Sequence, residues 1–237
     1  SAAIHGYTAA AGDSAVRQGL ADFMNKTYGA DVRADNFYMT CGAAASLVIS
    51  LKAIVEDASD EVILVAPFFP EYTVFVQNAG AKSVILPPDT EHFQISLDAM
   101  EQAITPKTRA IIVNSPNNPS GVVYSAETYE KLAALLERKS KEMGHPIYLI
   151  SDEPYREIIY DGLPILYVPK FYRDTIICYS YSKSLSLPGE RIGYILVPDC
   201  VTASKEVYTA VCGAGRFMGF VCAPHLFQDC LLYTSPS

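Results

Sequence analysis

Short apolar runs alternate along the chain with longer segments in which apolar residues recur every three or four positions. Each run has four to six residues, is rich in β-branched side chains and lacks polar alternation. This pattern is typical of strands that are buried on both faces of a sheet. The predicted strands are Val62–Ala66, Ser83–Leu86, Ala110–Val113, Ile147–Ile150, Thr175–Tyr179 and Ile192–Val197.

The segments between these runs have the periodicity of helices. The pattern is clearest where Leu132, Leu135 and Leu136 share one stripe and charged residues occupy the opposite side. The predicted helices are Gly42–Glu56, Tyr72–Asn78, Leu97–Ile104, Ala126–Met143 and Val201–Val211. This alternation predicts an α/β fold, a three-layer α/β/α domain with a mainly parallel central sheet. No repeat or flexible linker interrupts it, so we predict one domain.

Composition narrows the function classes. The chain has 237 residues, of which 50% are hydrophobic and 19% charged, and its net charge is −8. The acidic balance, without any basic run, argues against nucleic acid and anionic membranes as partners. No stretch of 18 consecutive apolar residues is present. The six cysteines are scattered, without a CxxC pair, so we predict no metal site, no disulfide framework and a cytoplasmic location.

The two ends of the chain do not resemble natural termini. The sequence starts at Ser1 without an initiator methionine, and residues 230–237 resemble the translation of a common sequencing adapter. We therefore expect residues 1–229 to be one large domain of a longer protein and residues 230–237 to be a non-native tail.

Polar motifs follow three of the predicted strands. Asn118 lies in the turn after one strand, Asp152 follows the next, and Lys183 comes shortly after a third. Because the carboxyl ends of parallel strands meet at one edge of a sheet, we expect these side chains to lie close together.

Lys183 is the most informative of these residues. Since it follows a buried strand, we expect a partly desolvated site, where burial favours a neutral, nucleophilic amine. Ser180 and Arg191 can hold a phosphate nearby, because a guanidinium offers a planar fork to phosphate oxygens. From spacing alone, a surface lysine with Arg191 in a structural ion pair is as good an interpretation.

A carboxylate at the end of a buried strand is costly unless a positive group meets it. A protonated pyridine nitrogen would satisfy Asp152 and would stay an electron sink. Asp152 also fits a helix N-cap before Pro154. Tyr155 can donate a hydrogen bond to a ring oxygen, or be an ordinary interfacial tyrosine.

Three further features are weaker when taken singly. Asn118 begins an Asn-Pro-Ser-Gly turn that can present its amide. Gly42, Ala43 and Ala44 begin a predicted helix, where backbone N–H groups favour an anion, although close helix–sheet packing explains the small residues equally well. Phe69 can stack on a flat ring or belong to the core.

Together these motifs resemble the fold-type I pyridoxal-phosphate enzymes, specifically the class I/II aminotransferases related to aspartate aminotransferase. The resemblance runs from about Tyr7 to Gln228. It is carried by Asn118-Pro-Ser-Gly, Asp152-Glu-Pro-Tyr, Ser180-Tyr-Ser-Lys and Gly189-Glu-Arg-Ile-Gly in this order.

The resemblance implies a role for each motif. Lys183 would form a Schiff base with pyridoxal 5′-phosphate and move a proton at the substrate α-carbon, and Asp152 would hold the pyridinium proton. Tyr155 and Asn118 would contact the ring oxygen, and Phe69 would stack on the ring. The residues implied to hold the phosphate are Ser180, Arg191, Gly42, Ala43 and Ala44.

The same resemblance predicts a homodimer with shared active sites. Tyr7, five residues before Gly12, matches a family tyrosine that reaches the partner subunit's phosphate. The implied reaction is transfer of an amino group from an amino acid, with aspartate as one candidate, to a 2-oxo acid. The family's N-terminal segment and small domain, with its substrate-binding arginine, are expected outside this chain, so we expect poor turnover. Arg216 is a candidate carboxylate clamp or simply a helix C-terminal arginine.

Other chemistries remain open on these residues. A C–S β-lyase or a decarboxylase shares the cofactor-binding motifs, and a non-catalytic α/β ligand-binding module shares the fold. Ser180-x-x-Lys183 also matches a penicillin-recognising signature. That signature needs a Lys-Thr-Gly motif and a helix starting at the serine; the first is absent, and Pro188-Gly189 argues against the second.

Overall fold

A seven-stranded sheet forms the centre of the molecule. The computed structural model describes residues 5–234. The strands run in the spatial order β1-β7-β6-β5-β4-β2-β3. In chain order they are Phe37–Thr40 (β1), Glu61–Val65 (β2), Lys82–Leu86 (β3), Thr108–Asn114 (β4), Tyr148–Asp152 (β5), Thr175–Ser180 (β6) and Gly193–Leu196 (β7).

The sheet is parallel except for one strand. β7 runs antiparallel to both of its neighbours, β6 and β1, and the remaining neighbours pair in parallel. Gly193 lies in register with both Thr40 and Ser180, and Asn114 lies in register with Asp152. These registers bring the ends of β1, β4, β5 and β6 and the start of β7 to one edge of the sheet.

Helices cover both faces of the sheet. They are Ser14–Tyr28 (α1), Ala43–Ile54 (α2), Glu71–Ala79 (α3), Leu97–Ala103 (α4), Ala126–Met143 (α5), Tyr181–Ser184 (α6), Ser204–Phe217 (α7) and His225–Thr234 (α8). α2, α3 and α7 pack in one apolar cluster on one face. On the opposite face, α4 and α5 pack in a second cluster and α1 and α8 in a third. Alternate residues of a strand point to opposite faces, so β2 contributes Val62 and Leu64 to one layer and Ile63 and Val65 to the other.

The predicted three-layer α/β/α fold is confirmed, and each of the six predicted strands and five predicted helices overlaps an observed one. One expectation about burial is wrong. β3 is an edge strand in which Lys82, Ser83 and Ile85 are exposed, so it is not covered on both faces. β1, α1, α6 and α8 were not predicted. α1 nevertheless begins after Asp13, whose carboxylate accepts hydrogen bonds from the N–H groups of Ala15 and Val16.

The carboxyl-terminal helix extends past the predicted boundary at residue 229. Leu231 is 2% exposed and packs in the cluster that contains Leu20 of α1. The origin of residues 230–237 stays a prediction. Among the described residues, no helix is both long and apolar enough to cross a membrane, and no group of side chains could hold a metal ion.

Candidate active site

A cavity of about 300 Å³ opens at the edge of the sheet where the polar motifs meet. Its walls come from the loops that leave β1, β2, β4, β5 and β6, as the topology of a parallel sheet requires. The lining residues are Ala43, Ala44, Leu47, Phe69, Tyr72, Asn114, Asn118, Asp152, Pro154, Tyr155, Ser180, Ser182, Lys183, Pro188 and Arg191.

One end of this cavity presents backbone amides and a guanidinium, groups that favour an anion. Ala43 and Ala44 open α2, and the first amides of a helix have no partner within the helix. Gly42 precedes them with a φ of +94°, and a Cβ at this position would lie 3.0 Å from Nη2 of Arg191 and 3.6 Å from Oγ of Ser180. Only glycine therefore lets the helix start, the serine and the arginine come together.

Arg191 faces the same end of the cavity. Its Nη1 donates to the carbonyl of Pro188 at 2.7 Å and its Nη2 to the carbonyl of Cys41 at 3.2 Å. The residue is exposed and has a φ of +54°, a conformation that non-glycine residues adopt mainly where the surrounding structure imposes it. With two of five donors used, the guanidinium has donors left for an anion. No ion pair of Arg191 occurs among the described residues, so its predicted alternative as a structural ion-pair partner is wrong.

Asp152 lies at the floor of the cavity and is 5% exposed. Its Oδ2 accepts a hydrogen bond of 2.5 Å from the hydroxyl of Tyr72. Its Oδ1 is buried and has no hydrogen-bond partner among the described residues. Burial and, more weakly, the charge of Glu153 raise the pKa of Asp152 to about 7, against the opposing effect of the Tyr72 bond. A buried carboxylate oxygen without a partner marks a place for a donor that carries positive charge.

Asn118, Tyr155 and Phe69 surround the space above Asp152. The backbone N–H of Asn118 donates to Oδ1 of Asn114 at 2.6 Å, and Nδ2 of Asn114 donates to the carbonyl of Asp152 at 2.9 Å. Burial, and then the charge of Asp152, raise the pKa of the Tyr155 phenol, which therefore stays protonated and able to donate at neutral pH.

Lys183 lies on the four-residue helix α6, whose N-cap is Ser180. The Oγ of Ser180 accepts a hydrogen bond from the N–H of Ser182 at 3.1 Å. Two expectations are wrong here. Lys183 is exposed in the open cavity and not partly desolvated, and a short helix does begin directly after Ser180, despite the Pro-Gly pair that follows.

Two predicted residues lie away from the cavity. Tyr7 is 85% exposed and does not line it, so any contact of Tyr7 with a cofactor would have to be made in another subunit. Arg216 is exposed in the last turn of α7 and does not line the cavity either. Its position as a helix C-terminal arginine is confirmed, and its role as a carboxylate clamp stays a prediction.

Sequence reasoning missed two cavity residues that hydrogen-bond to Asp152, namely Tyr72 and Asn114. Tyr72 is 1% exposed, stacks parallel to Phe68 at 6.2 Å and packs edge-on against Phe69 at 5.8 Å. The only signal for Tyr72 was its place three residues after Phe69, and for Asn114 its place at the end of an apolar strand.

Comparisons with known proteins agree on one family. A sequence model of the family described as aminotransferase class I and II matches residues 1–230. The chain is 35% identical to a probable aspartate aminotransferase of Methanocaldococcus jannaschii, covering 90% of this chain and 54% of that protein. It is 31% identical to aromatic-amino-acid aminotransferase 2 of Thermococcus litoralis, covering 83% and 51%. A crystal structure of an aminotransferase from Eubacterium rectale superposes with a TM-score of 0.96 at 62% identity, covering 97% of this chain and 57% of that chain.

The chain thus spans about half the length of the curated relatives it matches. The names of these relatives differ in the amino acid they specify. Aminotransferases of this family depend on pyridoxal phosphate.

Proposed function

Because this chain belongs to the class I and II aminotransferase family, we propose that it binds pyridoxal 5′-phosphate in the cavity above Asp152 and transfers an amino group from an amino acid to a 2-oxo acid. The proposal rests on one observation: Lys183 and Asp152, whose Oδ1 has no hydrogen-bond partner among the described residues, line the same cavity. An amine that can attack a carbonyl and a carboxylate that can hold a protonated ring nitrogen are the two groups this chemistry requires.

The residues fit the cofactor at both of its ends. Oδ1 of Asp152 is a buried acceptor that a pyridinium N–H would satisfy, and the charge of that N–H would favour the ionised carboxylate. The N-terminus of α2, Ser180 and Arg191 supply donors and positive charge for a phosphate. Phe69 offers a flat apolar face, although it cannot donate a hydrogen bond.

Each residue then has a distinct task. When bound, the cofactor withdraws electrons from the substrate bond that breaks at the α-carbon. Asp152 would hold the proton of the ring nitrogen, and Tyr72 keeps Asp152 in place. Lys183 would bind the cofactor and would accept the proton removed from the substrate α-carbon. Tyr155 and Asn118 would donate to the ring oxygen.

The same proposal includes the domain, the cellular location and the subunit arrangement. Residues 1–229 form the cofactor-binding large domain of a cytoplasmic enzyme that acts as a homodimer. In the dimer, Tyr7 of one subunit contacts the phosphate in the other. The 85% exposure of Tyr7 and its position outside the cavity support this arrangement.

Transfer of labelled nitrogen tests the reaction type. The chain is incubated with pyridoxal phosphate, a ¹⁵N-labelled amino acid and a different 2-oxo acid, and the products are analysed by mass spectrometry. Transamination predicts ¹⁵N in the amino acid derived from the 2-oxo acid, and none with Lys183→Ala. Release of ammonium and pyruvate from cystathionine, without such exchange, would instead identify a β-lyase, and release of carbon dioxide a decarboxylase.

A further inference from the structure

A hydrogen-bond chain centred on the buried Tyr179 connects the last residue of α6, the helix that carries Lys183, to the exposed Glu157. Tyr179 is 3% exposed at the end of β6, directly before the N-cap of α6. Its hydroxyl lies 2.7 Å from Oε2 of Glu157 and 2.8 Å from Oγ of Ser184, the last residue of α6. Because a carboxylate only accepts, Tyr179 donates to Glu157, and Ser184 therefore donates to Tyr179.

The ring of Tyr179 is itself held on two sides. The guanidinium of Arg156 lies over it at 4.6 Å, and the ring of Tyr194 stacks on it at 4.9 Å. Arg156 is fully enclosed and its Nε donates to Glu153 at 2.6 Å. Although burial opposes the charged form, the charge of Glu153 helps to raise the pKa of Arg156 above its usual value, so the cation persists. Glu153 is the chain neighbour of Asp152.

We propose that Tyr179 is a positioning residue for Lys183: anchored by its ring, it fixes the carboxyl-terminal end of α6 through Ser184. The inference rests on the proposed function of the cavity. A four-residue helix has too few internal hydrogen bonds to be rigid, since helix formation becomes favourable only over several turns. The N-cap bond of Ser180 holds one end of α6, and the Ser184–Tyr179 bond holds the other.

This arrangement connects Asp152 and Lys183 through side chains other than those that line the cavity. On one side, the Arg156–Glu153 pair ties Tyr179 to the strand that carries Asp152. On the other, Ser184 ties it to the helix that carries Lys183. Tyr179 itself does not line the cavity, so its effect on the amine is indirect.

The test uses Tyr179→Phe and Ser184→Ala in the full chain, singly and together. Phenylalanine keeps the ring that contacts Arg156 and removes only the hydroxyl. Tyr172→Phe is the matched control: the hydroxyl of Tyr172 is also buried, donates to the carbonyl of Ile147 at 2.8 Å and lies 3.3 Å from Oγ of Ser140, but Ser140 belongs to α5 and not to α6.

Two quantities are measured for each variant: the Kd for pyridoxal phosphate, from its visible absorption, and the midpoint of thermal unfolding without cofactor. Tyr179→Phe and Ser184→Ala are each expected to raise the Kd by roughly threefold to tenfold, the range for loss of one neutral hydrogen bond. The double variant is expected to match each single variant in Kd, because the bond between Ser184 and Tyr179 is lost in both; loss of the Tyr179–Glu157 bond, which occurs only with Tyr179→Phe, is expected to lower the midpoint of unfolding. Tyr172→Phe is expected to lower the midpoint without changing the Kd.

The outcomes separate the inference from the proposed function. If the unmodified chain gives no borohydride-stable adduct on Lys183, the proposed function fails and the inference with it. If the unmodified chain binds but Tyr179→Phe binds equally well, only the inference is wrong. It is also wrong if Tyr172→Phe raises the Kd as much, or if the two substitutions have additive effects on the Kd.

Discussion

Asp152 combines deep burial with a single hydrogen bond, and this has a consequence for stability. Its pKa is raised from 3.8 to about 7, mainly by desolvation. Between these two pH values, the folded protein therefore keeps a proton on Asp152 that the unfolded chain has lost. Where the folded state binds more protons, stability falls as pH rises. The group therefore destabilises the cofactor-free protein progressively between pH 4 and pH 7, by up to roughly 4 kcal/mol.

Asp152→Asn is expected to remove this penalty. Asparagine keeps an oxygen that accepts from Tyr72 but carries no charge. Urea unfolding of the cofactor-free variant and the unmodified chain should give similar free energies at pH 4.5. The variant should be the more stable at pH 8. A variant that loses stability relative to the unmodified chain as pH rises would contradict this reading of Asp152.

At the residue scale, the sequence predicted which residues meet in one cavity better than it predicted the environment of each residue. Lys183, Asp152 and Asn118 could be predicted because each follows a strand and because their order resembles a known family. Tyr72 could not, since its partner Asp152 is 80 residues away and a tyrosine at a helix start is usually part of the core. The exposure of Lys183 depends on what covers the cavity, which local sequence does not encode.

The proposed phosphate site depends on the start of α2. Gly42→Ala introduces a Cβ at a φ of +94°, 3.0 Å from Nη2 of Arg191. We expect a stability loss on the order of 1–3 kcal/mol and, because Arg191 must move, a Kd for pyridoxal phosphate raised by roughly tenfold or more.

Gly80→Ala provides the control for this prediction. Gly80 ends α3 with a φ of +98°, and a Cβ there would meet nothing within 4 Å. The Gly80→Ala variant should be less stable than the unmodified chain, as measured by thermal unfolding. It should bind pyridoxal phosphate normally, as measured by visible absorption. Equal losses of affinity in both variants would mean that backbone strain alone, and not the approach of Arg191, explains the effect.

How well a strand or helix could be predicted from the sequence depends on how it is buried. β4 and β5 are covered on both faces and therefore give continuous apolar runs that are easy to recognise. β3 gives a similar run from Val84 to Leu86, but its edge position is a property of strand order, which periodicity does not specify. α1 buries Val16, Leu20, Ala21 and Met24 along one stripe of an otherwise polar helix, and the sequence prediction did not include it.

At the scale of the whole molecule, the position of Tyr7 predicts complementation between subunits. In the proposed homodimer, Tyr7→Phe and Lys183→Ala are each expected to weaken pyridoxal-phosphate binding at both sites. In a mixed dimer, the subunit that keeps Lys183 receives Tyr7 from its partner, so one of two sites is complete. Equal mixing after reversible dissociation should restore roughly a quarter of the native sites, since half of the dimers are mixed. The sites are counted by borohydride trapping of pyridoxal phosphate.

Two results would contradict the shared site. If dimers form but mixing restores no borohydride-trapped sites, Tyr7 lies outside the site. If the chain stays monomeric by sedimentation and still binds pyridoxal phosphate normally, a shared site is excluded. Lys183→Ala taken alone through the same treatment is the control for labelling at other lysines.

The most direct test of the central claim is chemical mapping of the cofactor-binding lysine. Pyridoxal phosphate is added to the purified chain, the product is reduced with borohydride, and the modified residue is identified by mass spectrometry. We predict a phosphopyridoxyl group on Lys183 at one equivalent per chain, and strongly reduced labelling in Asp152→Ala. Labelling spread evenly over the surface lysines, or unchanged in Asp152→Ala, would contradict the assignment of this cavity as a pyridoxal-phosphate site.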